Sequence, residues 1–267
     1  MLSDAEIEKL AADLHRARAE VHTIPQPALQ YPDMDIEDAY AVQRRGVRMV
    51  LDGGGGVIGR KVGLTAIPMQ RAMGIEEPDY GVLYDDMRVP DGGRTSAAAF
   101  NYPRVEMELA YVLERDLRGP GVTPEDVRAA TGYVCPAIEI LDSRVRMTDP
   151  ATGRRRSIVD TVADNAADAG LVLGPGRADA GELRPRAVGA ELLVNGEIVD
   201  TGLATAVLGD PARAVAWLAD KLAVYGDHLT AGSVVLSGSF ISSVHVVAGD
   251  LVEADFGELG AVSCRFT

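Results

Sequence analysis

The stretch that most constrains this chain is Arg104-Val-Glu-Met-Glu-Leu-Ala-Tyr-Val-Leu113. Alternation at period two puts Val105, Met107 and Leu109 on one face of a strand and Glu106, Glu108 and Ala110 on the other. The two carboxylates then stand a little under ~7 Å apart along the strand. Glutamate is a poor strand former and like charges at this spacing repel, so something must offset the cost. The wet outer face of an edge strand would do so. A divalent cation would do so too.

A third carboxylate separates these alternatives. In Val134-Cys-Pro-Ala-Ile-Glu-Ile-Leu141, Glu139 lies between Ile138 and Ile140 inside an apolar run that reads as a buried strand, where a lone charge needs a partner. Three carboxylates on two strands describe an all-oxygen site with open positions, suited to Mg²⁺ or Mn²⁺ and not to zinc.

The formal net charge of −14 argues against nucleic-acid binding and favours a cytoplasmic enzyme that tolerates or locally neutralises anionic ligands, and 47% hydrophobic residues with 25% charged ones read as an ordinary soluble globular protein. Cys135 and Cys264 sit in apolar strand contexts with no histidine nearby, so they read as reduced core residues. No apolar run is long enough to span a bilayer and the N-terminus is acidic and periodic, which places the expected location in the cytoplasm with no membrane partner.

Along the chain, Ser3 and Glu6 form a capping box for a first helix whose apolar positions are Ile7, Leu10, Ala11, Leu14 and Val21. Residues 22–34, with three prolines, read as an extended linker, and Asp35 caps a second helix running to about Leu51. The glycine run 53–56 lacks the order of a phosphate-binding loop and reads as a flexible turn. In the strand Val57–Thr65, Gly59, Lys61 and Gly63 share a face, which bares backbone around an ammonium group and lets a small anion approach; a solvated lysine on a thin strand is the alternative. Thr65 is expected to cap a short helix ended by Gly74. Asp79, where a loop enters a strand, is either an acid/base candidate or a turn residue.

Thr123-Pro124 opens a helix reaching about Thr131. Residues 148–156, turn-rich and ending in three arginines, read as an exposed loop, with a position over an anionic substrate as the alternative. Residues 157–169 read as a short helix in which Asp160, Asp164 and Asn165 are surface groups or support a metal site. Asn195-Gly196 turns a hairpin within 190–199, Asp210-Pro211 caps a late amphipathic helix closed by Gly226, and four short strands finish the chain at 233–236, 244–247, 251–255 and 261–266. So many short strands with so few helices between them imply a mixed or antiparallel closed sheet and not a doubly wound one.

With these residues set out, the chain resembles the 2-hydroxypenta-2,4-dienoate (2-keto-4-pentenoate) hydratases and the 4-oxalocrotonate decarboxylases of the fumarylacetoacetate hydrolase superfamily. The likeness is carried by Gly59-Arg-Lys-Val-Gly-Leu-Thr65, Val105-Glu-Met-Glu-Leu109, Ala137-Ile-Glu-Ile-Leu-Asp-Ser-Arg144, Asp160-Thr-Val-Ala-Asp-Asn-Ala166 and Gly249-Asp250. It implies an α+β fold: a small, mainly helical N-terminal region (1–75), then a mixed, largely antiparallel closed β-roll (76–267), in a homo-oligomer. It implies Glu106, Glu108 and Glu139 as ligands of Mg²⁺ or Mn²⁺, Lys61 as the active-site lysine and Asp79 as the acid/base residue. Arg144 and Ser239 complete the substrate-binding candidates.

The implied reaction is hydration of a small 2-hydroxy-dienoic or 2-oxo-alkenoic acid, with metal-dependent decarboxylation, carbon–carbon hydrolysis or a role as an inactive partner subunit as alternatives. There are departures from the family pattern. Ala167 replaces a serine common after Asp-Asn-Ala, and Gly238-Ser-Phe240 is followed by Ile241-Ser-Ser243 where relatives acting on longer dicarboxylates carry an arginine. A second substrate carboxylate would then need Arg144 or the 154–156 triplet.

Overall fold

The structure, a computed structural model, describes residues 1–73 and 75–267, without the side chains of residues 69, 72 and 73. The expected helix end at Gly74 lies outside the described residues. Among the described residues, seven α-helices run α1 Asp4–Glu20, α2 Pro27–Gln30, α3 Ile36–Asp52, α4 Ile67–Met73, α5 Pro124–Ala130, α6 Ile158–Ala163 and α7 Pro211–Val224. The strands are β1 Val57–Gly63, β2 Asp79–Tyr84, β3 Arg88–Val89, β4 Gly93–Thr95, β5 Arg104–Leu113, β6 Thr131–Leu141, β7 Asp168–Leu173, β8 Gly189–Val194, β9 Glu197–Leu203, β10 Val234–Ser239, β11 Val244–His245, β12 Leu251–Asp255 and β13 Ala261–Phe266.

Local chemistry explains most of these boundaries. Capping boxes at Ser3/Glu6, Asp35/Asp38, Thr123/Asp126 and Ser157/Asp160 start α1, α3, α5 and α6. Gly226, at φ 72°, follows α7 in the left-handed conformation that glycine takes without strain. Two expectations shift. Residues 22–34 are not wholly extended, since they hold α2 and a bridge from Ile24 to Val145. Thr65 does not cap α4, which begins at Ile67; its side chain instead packs where a Cβ on Gly238 would stand, 2.4 Å from Thr65 Oγ1.

The strands form two mixed sheets. The larger has the order β2-β1-β10-β5-β6-β7-β3, with β11 also paired to β5, and the smaller runs β4-β13-β12-β8-β9. Most pairs are antiparallel, but β1/β10, β3/β7 and β4/β13 are parallel. β1 lies before residue 75 in the chain, yet it pairs with both β10 and β2 inside the large sheet.

The ladder of the large sheet has two ends, so the expected closed roll is a curled sheet. The seam beside β2 is bridged by one side chain: Asn165 Nδ2 donates to the Val82 carbonyl (2.9 Å) and Asn165 Oδ1 accepts from the Val82 N–H (2.8 Å). To bring that amide there, Asn165, Ala166 and Ala167 all take positive φ (51°, 51° and 61°), a left-handed stretch that non-glycine residues rarely adopt.

The alternation in β5 sorts its side chains as expected. Val105, Met107 and Leu109 join the main core with Ile138 and Ile140 of β6. The opposite face carries a second, smaller apolar cluster that includes Ala110, Cys135, Ala137, Leu171 and Leu236. Both cysteines are free and buried. Among the described residues no helix is long and apolar enough to cross a membrane.

Candidate active site

Register alone places the site. Glu106 is paired with Glu139 and Glu108 with Ala137 across β5/β6, so Glu106, Glu108 and Glu139 project from one face beside the smaller apolar cluster. Lys61 of β1 is paired with Leu236, which is paired with Ala110, and the lysine therefore joins the same face. Gly63 pairs with Asp79, which brings the acid/base candidate in beside Lys61. The sequence-predicted carboxylates and the lysine thus converge.

One ligand oxygen from each of Glu106, Glu108 and Glu139 lies within 4.8 Å of the others. Glu108 and Glu139 are 0% and 1% exposed, and Glu106 is half-buried. Glu108 Oε2 accepts from the Gly238 N–H (2.7 Å), but among the described residues Glu108 Oε1 and both Glu139 oxygens have no hydrogen-bond donor. Buried carboxylate oxygens left without donors are costly, and a shared dication satisfies all of them at once. The donor set is all oxygen and only three protein ligands contribute, which fits Mg²⁺ or Mn²⁺ with coordination positions left for water and substrate.

Lys61 Nζ is 3.2 Å from Glu139 Oε1, an ion pair that lacks hydrogen-bond alignment. Burial would pull the lysine pKa down, but Glu139, then Asp79, Asp168 and Glu106, hold it above its ordinary value, so it stays charged. Asp79 is pushed up by burial against the pull of Lys61, and its Oδ1 is buried without a partner. The glycines make this room: a Cβ on Gly63 would sit 2.2 Å from Asp79 Oδ1 and 3.3 Å from Lys61 Nζ. Burial and the neighbouring glutamates raise Glu106 to about 8 and Glu108 well above the usual carboxylate range.

Asp168 was not among the sequence candidates and belongs to this cluster. It is wholly buried, both its carboxylate oxygens lack donors, and burial with the nearby Glu139 pushes its pKa well up. Counting alternation back from Leu171 assigns Asp168 to the opposite face. A bulge between Ile140/Gly170 and Leu141/Asp168 adds a residue to β7 and turns Asp168 to the side of Glu139. The available signal was the one that found Glu139, a carboxylate set in an apolar run.

Other candidates take different places. Arg144 is enclosed: Nε donates to Asp164 Oδ1 (2.6 Å), Nη2 to the Asp164 carbonyl (2.7 Å) and Nη1 to the Asp168 carbonyl (3.0 Å). These bonds brace the left-handed stretch. Asp164 is therefore the buried counter-ion of Arg144, and Asp160 is a buried cap that also accepts from the Ala28 N–H (2.8 Å); neither is a surface group. Ser239 is paired with Glu108 across β10/β5, with its Oγ accepting from the Ile241 N–H (3.2 Å). In the loop 148–156, residues 149–155 are mostly exposed as expected, but Arg156 is half-buried and donates to Ser143 Oγ (2.7 Å).

The comparisons with known proteins agree with this geometry. Residues 61–267 match the fumarylacetoacetate (FAA) hydrolase C-terminal family. The chain belongs to this family. It is 46% identical over 257 residues, 96% of each chain, to the 2-oxo-hept-4-ene-1,7-dioate hydratase of Escherichia coli. It is 37% identical over 99% of its length, and 98% of the relative's, to the 4-oxalocrotonate decarboxylase of Pseudomonas sp. strain CF600. The solved structure of the 4-oxalocrotonate decarboxylase from Pseudomonas putida G7, complexed with magnesium and adipate, superposes with a TM-score of 0.94 at 35% identity, covering all of this chain and 99% of that one. Within the family the chain sits with the 2-keto-4-pentenoate hydratases and 4-oxalocrotonate decarboxylases.

Proposed function

We propose that the chain is a metal-dependent hydratase that converts a 2-hydroxy-2,4-dienoate or the corresponding 2-oxo-alkenoate into a 4-hydroxy-2-oxo acid, in the breakdown of aromatic compounds. The observation that carries this is the meeting of Glu106, Glu108 and Glu139 beside Lys61 and Asp79 in a chain that matches a hydratase end to end. Mg²⁺ or Mn²⁺ held by the three glutamates supplies a Lewis acid for the carboxylate and 2-oxo group of the substrate.

The chain's own residues do the rest. Lys61 is the cation buried among these carboxylates, and it offsets the negative charge that an anionic substrate brings and that builds on its 2-oxygen. Asp79, whose pKa burial raises, is the group placed beside Lys61 to carry a proton. It delivers that proton to the far carbon of the dienol as the 2-hydroxyl proton is lost to solvent. In its ionised form it accepts the proton that water loses on adding at C4, and passes it to C3 of the enolate that this addition forms, a solvent proton restoring it for the next turnover. The apolar cluster of Ala110, Cys135 and Leu236 walls this face from bulk water.

Decarboxylation is the second reading, supported by the full-length relatives of that activity. It needs the same charge balance at Lys61 but no added water. Incubation with 2-oxo-hept-4-ene-1,7-dioate, 2-hydroxypenta-2,4-dienoate and 2-oxo-hex-3-enedioate in the presence of Mg²⁺, followed by NMR, separates the two: a new C4 carbinol marks hydration and CO₂ loss marks decarboxylation. No turnover of any of them overturns both. The exposed Ile198, Val199 and Leu203 on the edge strand β9 support assembly into a homo-oligomer, which sedimentation would test. The two free cysteines suit a reducing cytoplasm.

A further inference from the structure

Two arginines beside the acidic centre have no acidic partner. Arg104 lies two residues before Glu106 on β5 and so projects from the same face. Its Nη1 donates to Ser243 Oγ (3.0 Å), while its Nε is buried with no partner. Arg156 enters from the end of the 148–156 loop, half-buried, with Nη1 on Ser143 Oγ. Among the described residues neither guanidinium forms an ion pair, although the nearby Lys61 and Arg144 both do and acidic residues outnumber basic ones by 40 to 26. Serine hydroxyls orient each fork without neutralising it. Each guanidinium carries five N–H donors and spends one of them on its serine.

The two groups also feel one another and the site. Arg156 is held below the usual arginine value by burial, with Asp164, Arg104, Arg144 and Asp79 among the charges acting on it. Arg104 is paired with Leu141, two residues before the Ser143 that holds Arg156, so both guanidiniums are anchored at the same end of β5/β6. Two half-buried cations there are desolvated at a cost, and an anion bound by both would remove it. Strand rise sets Arg104 roughly 7 Å from Glu106, a separation that suits a short diacid with one end at the glutamates.

We propose that Arg104 and Arg156 form the cationic end of the substrate pocket and take the far carboxylate of a dicarboxylic 2-oxo acid whose other end lies at Glu106, Glu108 and Glu139. This rests on the reading of the site as one for 2-oxo acids. It makes the dicarboxylate the preferred substrate class, and it assigns to Arg156 and Arg104 the charge that is missing after Gly238-Ser-Phe240.

The test uses two unreactive probes that differ only at the far end, 2-oxohexanedioate and 2-oxohexanoate, titrated calorimetrically into the Mg²⁺-loaded protein. The wild type should bind the diacid at least ~tenfold tighter, as charge-assisted hydrogen bonds to a carboxylate warrant. Arg156→Gln should collapse that ratio towards one and Arg104→Gln should reduce it. Arg156→Lys should keep part of it, because a point charge replaces the fork. Circular dichroism confirms that each variant is folded. Equal wild-type affinity for the two probes, or a ratio unchanged in both glutamine variants, overturns the proposal. If Mg²⁺ binds but neither probe does, the 2-oxo-acid reading itself fails, an outcome distinct from a loss of preference.

Discussion

Lys61 and Asp168 both crowd Gly81: a Cβ on that glycine would lie 3.2 Å from Lys61 Cε and 3.3 Å from Asp168 Cβ. Gly81 thus lies between the lysine of β1 and the bulged start of β7, and Asp168 acts on the ammonium along with Glu139 and Asp79. Asp168→Asn keeps the shape and removes the charge. The expected outcome is a more thermostable metal-free protein, because an orphaned buried carboxylate costs about 1–3 kcal/mol, together with a loss of about tenfold or more in kcat/KM. Melting curves and steady-state kinetics check the two halves separately. A variant with neither change would make Asp168 a bystander.

Glu108→Gln tests the metal centre. Gly238 N–H can still donate to the amide oxygen, so the β5/β10 pairing should survive and the far-UV spectrum should not change. Affinity for Mg²⁺ or Mn²⁺ should fall by on the order of a hundredfold, with activity falling alongside, since even residues behind the ligands commonly cost ten to a hundredfold. Calorimetric titration of the metal alone gives the answer without a substrate.

The raised carboxylates give stability a pH dependence of definite sign. Glu106 titrates at about 8 in the fold, against an ordinary value of ~4.3 in an unfolded chain. Between those values the folded state holds a proton that the unfolded state has lost, so metal-free stability falls as pH rises through that window and levels off above about 8. Metal binding requires the ionised carboxylates and expels the proton, so Mg²⁺ affinity should climb over the same window and then flatten. Melting temperatures at about pH 5.5 and about pH 8.5 should therefore diverge in chelator and converge in excess Mg²⁺. Parallel curves in the two conditions would contradict this.

Asn165→Ala should loosen the curled sheet. The amide satisfies both the N–H and the C=O of Val82, and stranding two backbone groups costs roughly 2–4 kcal/mol. Asn165→Asp, which keeps the acceptor and loses the donor, should recover part of that. Chemical denaturation of the two variants orders them. Equal stability of wild type and both variants would show that the seam holds without the side chain.

What the sequence discloses about this site depends on period two. Glu106, Glu108 and Glu139 were legible because β5 and β6 keep strict alternation across the stretch that matters, whereas the family likeness singled out Lys61 and Asp79 from their alternatives. Asp168 was not legible, because one extra residue in β7 reverses its face and alternation cannot foresee a bulge. The partners of Arg144 were hidden for a related reason. Its residue type suggests a substrate carboxylate, but the partners that claim it come from Asp164, twenty residues away, through a left-handed turn with no glycine to signal it. The closed sheet was overdrawn because a side-chain amide takes the place of one ladder, and no propensity marks an asparagine for that task.

Gly63→Ala addresses Asp79 without touching it. Gly63 faces Asp79 across β1/β2, and an added methyl would fall 2.2 Å from Asp79 Oδ1, closer than any real contact allows, and 3.3 Å from Lys61 Nζ. The carboxylate has to swing away, while Lys61 gives by only a few tenths of an ångström and the glutamate triad lies on other strands. Displacements of about an ångström in a proton-transfer group commonly cost on the order of a hundredfold in rate. The expected result is therefore a large fall in kcat with Mg²⁺ affinity changed little, the reverse of the pattern for Glu108→Gln. Comparison with Asp79→Asn completes the argument. If Asp79 carries the proton, the two variants should lose similar rates and the double variant little more, because both remove the same function. Additive losses would mean that the methyl acts on something other than Asp79, and an unchanged rate in Gly63→Ala would release Asp79 from its catalytic assignment.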